Sequence, residues 1–168
     1  TSAKSFESAL YAAGGVLSLI DAVFDKDIEN GFAFVRPPGH HAEKDKAMGF
    51  CLFNNVAIAA SYALKKYNLS RVLILDFDLH HGNGTQKAFY DTNKVMYIST
   101  HQYPYYPGTG SFQEVGEGKG IGYNLNFPLN IGADDCFYHN IYEKIVTPIA
   151  LKYNPELVLV SAGFDIYY

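Results

Sequence analysis

One run of twelve residues constrains this chain more than any other: Leu73-Ile74-Leu75-Asp76-Phe77-Asp78-Leu79-His80-His81-Gly82-Asn83-Gly84. The apolar stretch from Val72 to Leu75 reads as a buried strand. Its end delivers Asp76, Asp78 and His80, then a second histidine and two glycines. Alternate residues of an extended backbone share one face, so Asp78 and His80 can grip one ion together. Mixed carboxylate and imidazole ligands suit Zn²⁺ and its neighbours. Three ionisable groups at the mouth of a core strand mark a place for chemistry.

The flanking pattern sets the architecture. Phe6, Ala9, Leu10, Ala13, Leu17, Ile20 and Phe24 recur at helical spacing. A Gly14-Gly15 pair inside that helix costs roughly 1 kcal/mol per glycine, which implies a second backbone passing close by. Gly31-Phe32-Ala33-Phe34-Val35 reads as a short buried strand. A long connection, 36–55, follows with two adjacent histidines, and loops of such length are usually functional. Val56, Ala59, Ala60, Ala63, Leu64 and Tyr67 mark a second helix. Strand 71–77, a short helix near 85–89, and strands at 95–99 and 124–129 come next. Asp134 or Asp135 can cap a helix to about Tyr153, kinked or split by Pro148. Leu157 to Val160 reads as a last buried strand. Helices alternating with short apolar strands predict an α/β fold: a mainly parallel sheet with helices on both faces, in three layers. Ligands of such folds collect beyond the C-terminal strand ends. The histidine pair, the Asp/His run and Asp165 each follow a predicted strand, so they are expected on one edge of the sheet.

Composition narrows the function. The 168 residues suffice for one domain with a real core, and 48% hydrophobic with 18% charged residues is ordinary for a soluble protein. A net charge of −4 gives no basic field to attract nucleic acid. Cys51 and Cys136 form no disulfide framework and fit a reducing compartment, so an intracellular, cytoplasmic location is expected, or a nuclear one in a eukaryote. With no signal peptide, bilayer-spanning run or lipidation motif legible in its sequence, the chain is expected to have no membrane association. The chain starts at Thr1 rather than Met, which points to a processed or excised N-terminus.

Taken together, RPPGHHAE, MGFCLFNNVAIAA, DFDLHHGNGTQKAFY, YPGTGS and LVSAGFD resemble the histone deacetylase superfamily, most of all its class II branch and bacterial relatives. These are zinc amidohydrolases that remove acetyl groups from lysine, polyamines and related amines. The resemblance runs from the first helix to the last strand. It implies an arginase-like fold with Zn²⁺ held by Asp78, His80 and Asp165, the third ligand lying 87 positions beyond the first. Three protein ligands leave room for water and substrate, as catalytic zinc sites do. His41 resembles the family's general base and acid, and His40 its electrostatic partner. Asp76 would support His40 and Asn83 would support His41. Because Asn83 is neutral, His41 is expected to be less basic than where an aspartate stands there.

The same resemblance makes Phe50 and Tyr106 two aromatic walls of a tunnel for acyl-lysine, with the Gly49 carbonyl at its floor. Asp76, Asp78, His80, Ser99 and Thr100 resemble a structural K⁺ site of hard oxygen ligands. Phe89, Thr92, Val95 and Tyr123 fit a second monovalent site. The family domain continues past Tyr168 to its oxyanion-stabilising residue, so the chain is expected to be the central part of one catalytic domain, residues 1–168.

Blander readings stand beside these. A strand ending in DxD also suits Mg²⁺ phosphotransferases of the haloacid dehalogenase type, but those need Thr or Val where this chain has His80. Phe50 and Tyr106 alone would be core aromatics, Asp165 alone a loop acid, and His101 and His139 structural. The expected function is deacetylation of N-acetyl-lysine in histones or other proteins. The alternatives are an acetylpolyamine or small-amide deacylase, or an incomplete domain that binds acyl-lysine or a partner. The sequence leaves oligomeric state open.

Overall fold

β-branched residues mark Val72–Asp76 (β1), Val95–Gln102 (β2) and Leu157–Ser161 (β4), and Asn124–Leu129 (β3), which has none, joins them in one sheet. In the computed structural model, which describes residues 2–165, every pairing is parallel and the strand order is β3-β2-β1-β4. Parallel pairing brings the C-terminal ends of all four strands to one edge. Helices accompany it: Ser5–Phe24 (α1), Asn55–Lys66 (α2), Asn83–Ala88 (α3), Asp135–Ile141 (α4) and Thr147–Tyr153 (α5). The fold class is the α/β parallel sheet that the sequence predicts.

The chain divides into two compact units. One comprises Thr1–Asn68 and Asn83–Ala88, with α1, α2 and α3; the other comprises Leu69–Gly82 and Phe89–Tyr168, with the sheet, α4 and α5. In the sheet unit, Leu73, Met96, Ile98 and Leu129 from the strands bury against Ile141 and Val146 of the helical layer. Alternation puts Ile74, Asp76, Tyr97, Ser99 and His101 on the opposite face, where each is buried.

In the helical unit α1 packs on α2. Asp21 of α1 accepts hydrogen bonds from Tyr62 (2.8 Å), Lys66 (2.9 Å) and Tyr67 (2.7 Å), and the Phe24 and Tyr67 rings stack at 4.1 Å. Asn54 caps α2 by accepting from the Ala57 N–H at 3.1 Å, and its amide nitrogen donates to Thr85 at 3.1 Å. That single side chain ties the histidine-bearing loop to α3.

Several expectations are corrected. Gly31 to Val35 is neither strand nor buried: Phe34 is 91% exposed, and its ring lies 4.5 Å from Phe32 instead of in a core. No strand among the described residues pairs with it, and a run of β-formers carries no information about a partner. Among the described residues β4 is an edge strand bonded to β1 alone, which leaves Val158 and Val160 each 49% exposed where a buried strand is expected. At Gly14 a Cβ would meet nothing within 4 Å, and at Gly15 only Val35 Cγ1 at 3.8 Å, so close backbone approach does not explain the pair. α1 is long and apolar enough to cross a membrane by length and composition, a candidate that the sequence reading passes over. Ala9, Ala12, Ala13 and Ile20 are buried, as in a helix packed on a neighbour. The predicted 134–153 helix begins with Asp134 as its cap and is interrupted by a π-helical segment at Tyr142–Val146. Pro148 then sits in the first turn of α5, where its missing N–H costs nothing, and the wide turn absorbs its ring.

Candidate functional site

Beyond the C-terminal ends of β1 and β4 the sheet unit gathers Asp78, His80 and Asp165, with one ligand atom from each lying within 4.8 Å of the others. Asp78 Oδ1 and Asp165 Oδ2 lie 3.1 Å and 2.9 Å from His80 Nδ1. Backbone donors hold the carboxylates: the His80 N–H donates to Asp78 Oδ1 at 2.8 Å and the Leu79 N–H to Asp165 Oδ1 at 3.2 Å. Gly163 is required here, because a Cβ at that position would overlap the Asp78 carboxylate. Two carboxylates and one imidazole converging at strand ends fit a borderline divalent cation such as Zn²⁺. The stretch Asp76 to His80 and the distant Asp165 are thus brought together as the sequence predicts.

The surroundings hold one aromatic that sequence reading misses. Tyr105 stacks on His80 at 5.4 Å, while Tyr106, the expected wall, meets the ring edge-on at 6.0 Å. A cleft of about 310 Å³ adjoins the trio, lined by Leu79, Gln102, Tyr105, Ile131, Tyr138 and Asp165 among others. Adjacent Tyr residues in a loop carry no periodic signal, so only the fold distinguishes Tyr105 from its neighbour.

Asp76 ends β1 fully buried and in register with Ser99 and Ser161. Its Oδ2 accepts from the Tyr97 hydroxyl at 3.0 Å and its Oδ1 from the Asp78 N–H at 3.3 Å. Burial first, and the Asp76 carboxylate second, push the Tyr97 phenol well above its ordinary value, so it stays a neutral donor. His101 Nε2 lies 3.0 Å from the Gly110 carbonyl and its Nδ1 lies 2.8 Å from Ser99 Oγ. A carbonyl can only accept, so Nε2 carries the proton and Ser99 donates to Nδ1. Burial lowers the His101 pKa, which agrees with a neutral ring. Ser99 Oγ therefore keeps lone pairs for a cation. Thr100 Oγ1 lies on the opposite sheet face, 3.2 Å from the Tyr142 hydroxyl, which leaves its main-chain oxygen as the donor to such a site. Phe89, Thr92, Val95 and Tyr123 cluster around the N-terminal end of β2. There the Phe89 carbonyl accepts from the Thr92 N–H at 3.3 Å and the Tyr123 carbonyl from the Tyr97 N–H at 2.9 Å, each with a second lone pair in hand.

The helical unit holds the other set. His40 and His41 are both buried, with ring centroids 4.0 Å apart. Asn83, the first residue of α3, puts Oδ1 2.9 Å from His41 Nδ1, as expected of its support. Gly49 has φ +56°, and a Cβ there would overlap the His41 ring, so both backbone and space demand glycine. Phe50 also has positive φ (64°) and is 92% exposed, a strained and open position for an aromatic with no structural duty. Cys51 is buried and donates to the Gly49 carbonyl at 3.3 Å.

Comparison with known proteins is consistent throughout the chain. The sequence profile of the histone deacetylase domain matches residues 1–168. Histone deacetylase 9 of Homo sapiens is 49% identical over 165 residues, covering 94% of this chain and 16% of that protein. A probable deacetylase of Archaeoglobus fulgidus is 46% identical over 163 residues, covering 97% and 45%. The polyamine deacetylase HDAC10 of Danio rerio is 46% identical over 166 residues, covering 95% and 25%. The chain thus spans less than half the length of these relatives. A whole-length match to the domain, at this identity and with these side chains in place, means that the chain belongs to the histone deacetylase family.

Proposed function

We propose that the chain supplies the catalytic residues of a Zn²⁺-dependent deacetylase that hydrolyses the acetyl amide of N-acetyl-lysine in histones or other proteins. The observation that carries this reading is the convergence of Asp78, His80 and Asp165 at the strand ends. These three residues would hold the ion, and a bound zinc supplies Lewis acidity, polarising a carbonyl and acidifying water. Asp76, Asp78, His80, Ser99 and Thr100 would hold K⁺.

His41 is the general base and acid. With Nδ1–H turned to Asn83, its lone pair sits on Nε2, where it takes a proton from water and returns it to the departing lysine amine. His40, packed ring to ring on His41, supports the charge that develops there. Asp76 is held as a buried acceptor by Tyr97. Gly49 and Phe50, and separately Tyr106, are the residues assigned to acyl-lysine binding. Products are acetate and free amine, so water is the only co-substrate.

A second reading is a deacetylase of acetylated polyamines, favoured by the similarity to the polyamine deacetylase of Danio rerio. One experiment separates the two. Acetate release by the zinc-loaded chain is measured on an acetyl-lysine peptide and on an N-acetylated polyamine, with His41→Ala as control. Release from the peptide that the variant loses supports the first reading, and release from the polyamine alone supports the second. Zinc bound without release from either substrate would favour instead the incomplete domain that binds acyl-lysine or a partner.

A further inference from the structure

Asn83 has two chemically opposite ends, and which end meets His41 decides where the imidazole proton sits. The carboxamide Oδ1 lies 2.9 Å from His41 Nδ1. Three groups surround Nδ2: Glu43 Oε1 at 3.1 Å, the His41 carbonyl at 3.4 Å and Met48 Sδ at 3.4 Å. All three are acceptors. Turning the amide over would set its oxygen against a carboxylate, a carbonyl and a thioether, and its NH₂ against His41.

Glu43 is the nearest of the three and the charged one. It lies in the loop just after the histidine pair, and its other oxygen, Oε2, accepts from Lys87 Nζ at 2.6 Å. Lys87 stands four residues beyond Asn83 on α3, so one helix face presents both the amide and the ammonium to one carboxylate. The Lys87 hydrogen bond first, and the Asn83 hydrogen bond after it, hold the Glu43 carboxyl below its ordinary value. Glu43 therefore stays an anion, without a proton that could invite the amide to flip. As an ion pair alone this contact is worth little, since Lys87 is mostly exposed. Its consequence lies in orientation.

We propose that Glu43, clamped by Lys87, is a positioning residue that fixes the Asn83 amide and through it the Nδ1–H tautomer of His41. The effect on turnover rests on the deacetylase reading; the effect on the tautomer does not. With the amide reversed, His41 would carry its proton on Nε2 and offer no lone pair there to accept one.

The test reads the tautomer directly by ¹⁵N NMR of histidine-labelled chain at mildly alkaline pH, with the His41 signals assigned by their loss in His41→Ala. The wild type is expected to show mainly Nδ1–H. Glu43→Ala is expected to give a mixture of tautomers, and Glu43→Gln, which can still turn an oxygen toward Asn83 Nδ2, to regain most of the Nδ1–H form. On an acetyl-lysine peptide, Glu43→Ala should lower kcat about tenfold or more with KM nearly unchanged. A wild type that is mainly Nε2–H, or a Glu43→Ala chain with the wild-type tautomer ratio, would overturn the proposal. A tautomer shift in a chain that hydrolyses nothing would sustain the clamp and count against the deacetylase reading.

Discussion

Two residues that make no bond of their own to a ligand control the candidate centre by space and by charge. Gly163 leaves the Asp78 carboxylate its position, so Gly163→Ala forces either the loop or the carboxylate to move. Zinc affinity should fall about 10- to 100-fold, as when ligand-supporting groups are lost, and a competitive zinc titration measures it. Unchanged affinity would mean that Asp78 is not a ligand. Asn83 controls charge. Asn83→Asp places a carboxylate on His41 Nδ1, favours imidazolium, and keeps the base protonated to higher pH. The acidic limb of the kcat/KM profile should move upward in pH; a limb that stays in place refutes the role of His41. How far these residues can be read from sequence differs for physical reasons. Asp78 and His80 announce themselves because i and i+2 on a strand must share a face. Asp165 is an ordinary loop acid until β4 pairs with β1 and carries it to the site. Glu43 gives no signal at all, because its role depends on which end of an amide it faces.

Elements respond as packed units, and α1 gives two tests of this. Lys66 first, then Tyr67, hold the Asp21 carboxyl below its ordinary 3.8. A depressed pKa contributes stability that is complete above the unfolded value and is lost as pH falls through the folded one. Asp21→Asn should therefore lower Tm at neutral pH, and the gap to wild type should close as pH drops below about 4. A gap that is the same at all pH values would show that the carboxylate's charge is irrelevant. Gly14 is exposed in mid-helix with open space at its Cβ among the described residues, so Gly14→Ala should gain about 1 kcal/mol by urea unfolding. In the sheet unit Ile98 is fully buried under the helical layer, and Ile98→Ala should cost about 2–5 kcal/mol in the same assay. The helix periods of α1 and α2 and the apolar runs of β1 and β2 are all legible in the chain, because local pattern and tertiary burial agree there. They disagree at Gly31 to Val35 and at β4. There the same apolar composition lacks a strand on one or both sides, and burial is a property of neighbours that no local run encodes.

At the scale of the molecule, the candidate ligands come from the ends of two strands whose pairing only the folded state provides. In the unfolded chain Asp165 is separated from Asp78 by 87 residues, so the trio does not exist as a site. An ion that binds the native state alone must stabilise it by mass action, by about 2.7 kcal/mol when free zinc is 100 times its dissociation constant. Tm should therefore rise with zinc concentration, continue to rise beyond saturation, and return to its starting value on chelation. Asp78→Ala should abolish the rise, because it removes a ligand and leaves only one carboxylate beside His80. Asp21→Asn, which weakens the chain in the helical unit, should lower every Tm but preserve the zinc-dependent increment, since it touches no ligand. Differential scanning fluorimetry across a zinc series separates these cases. An increment that survives Asp78→Ala would place the ion elsewhere, and with it the chemistry assigned to the strand ends.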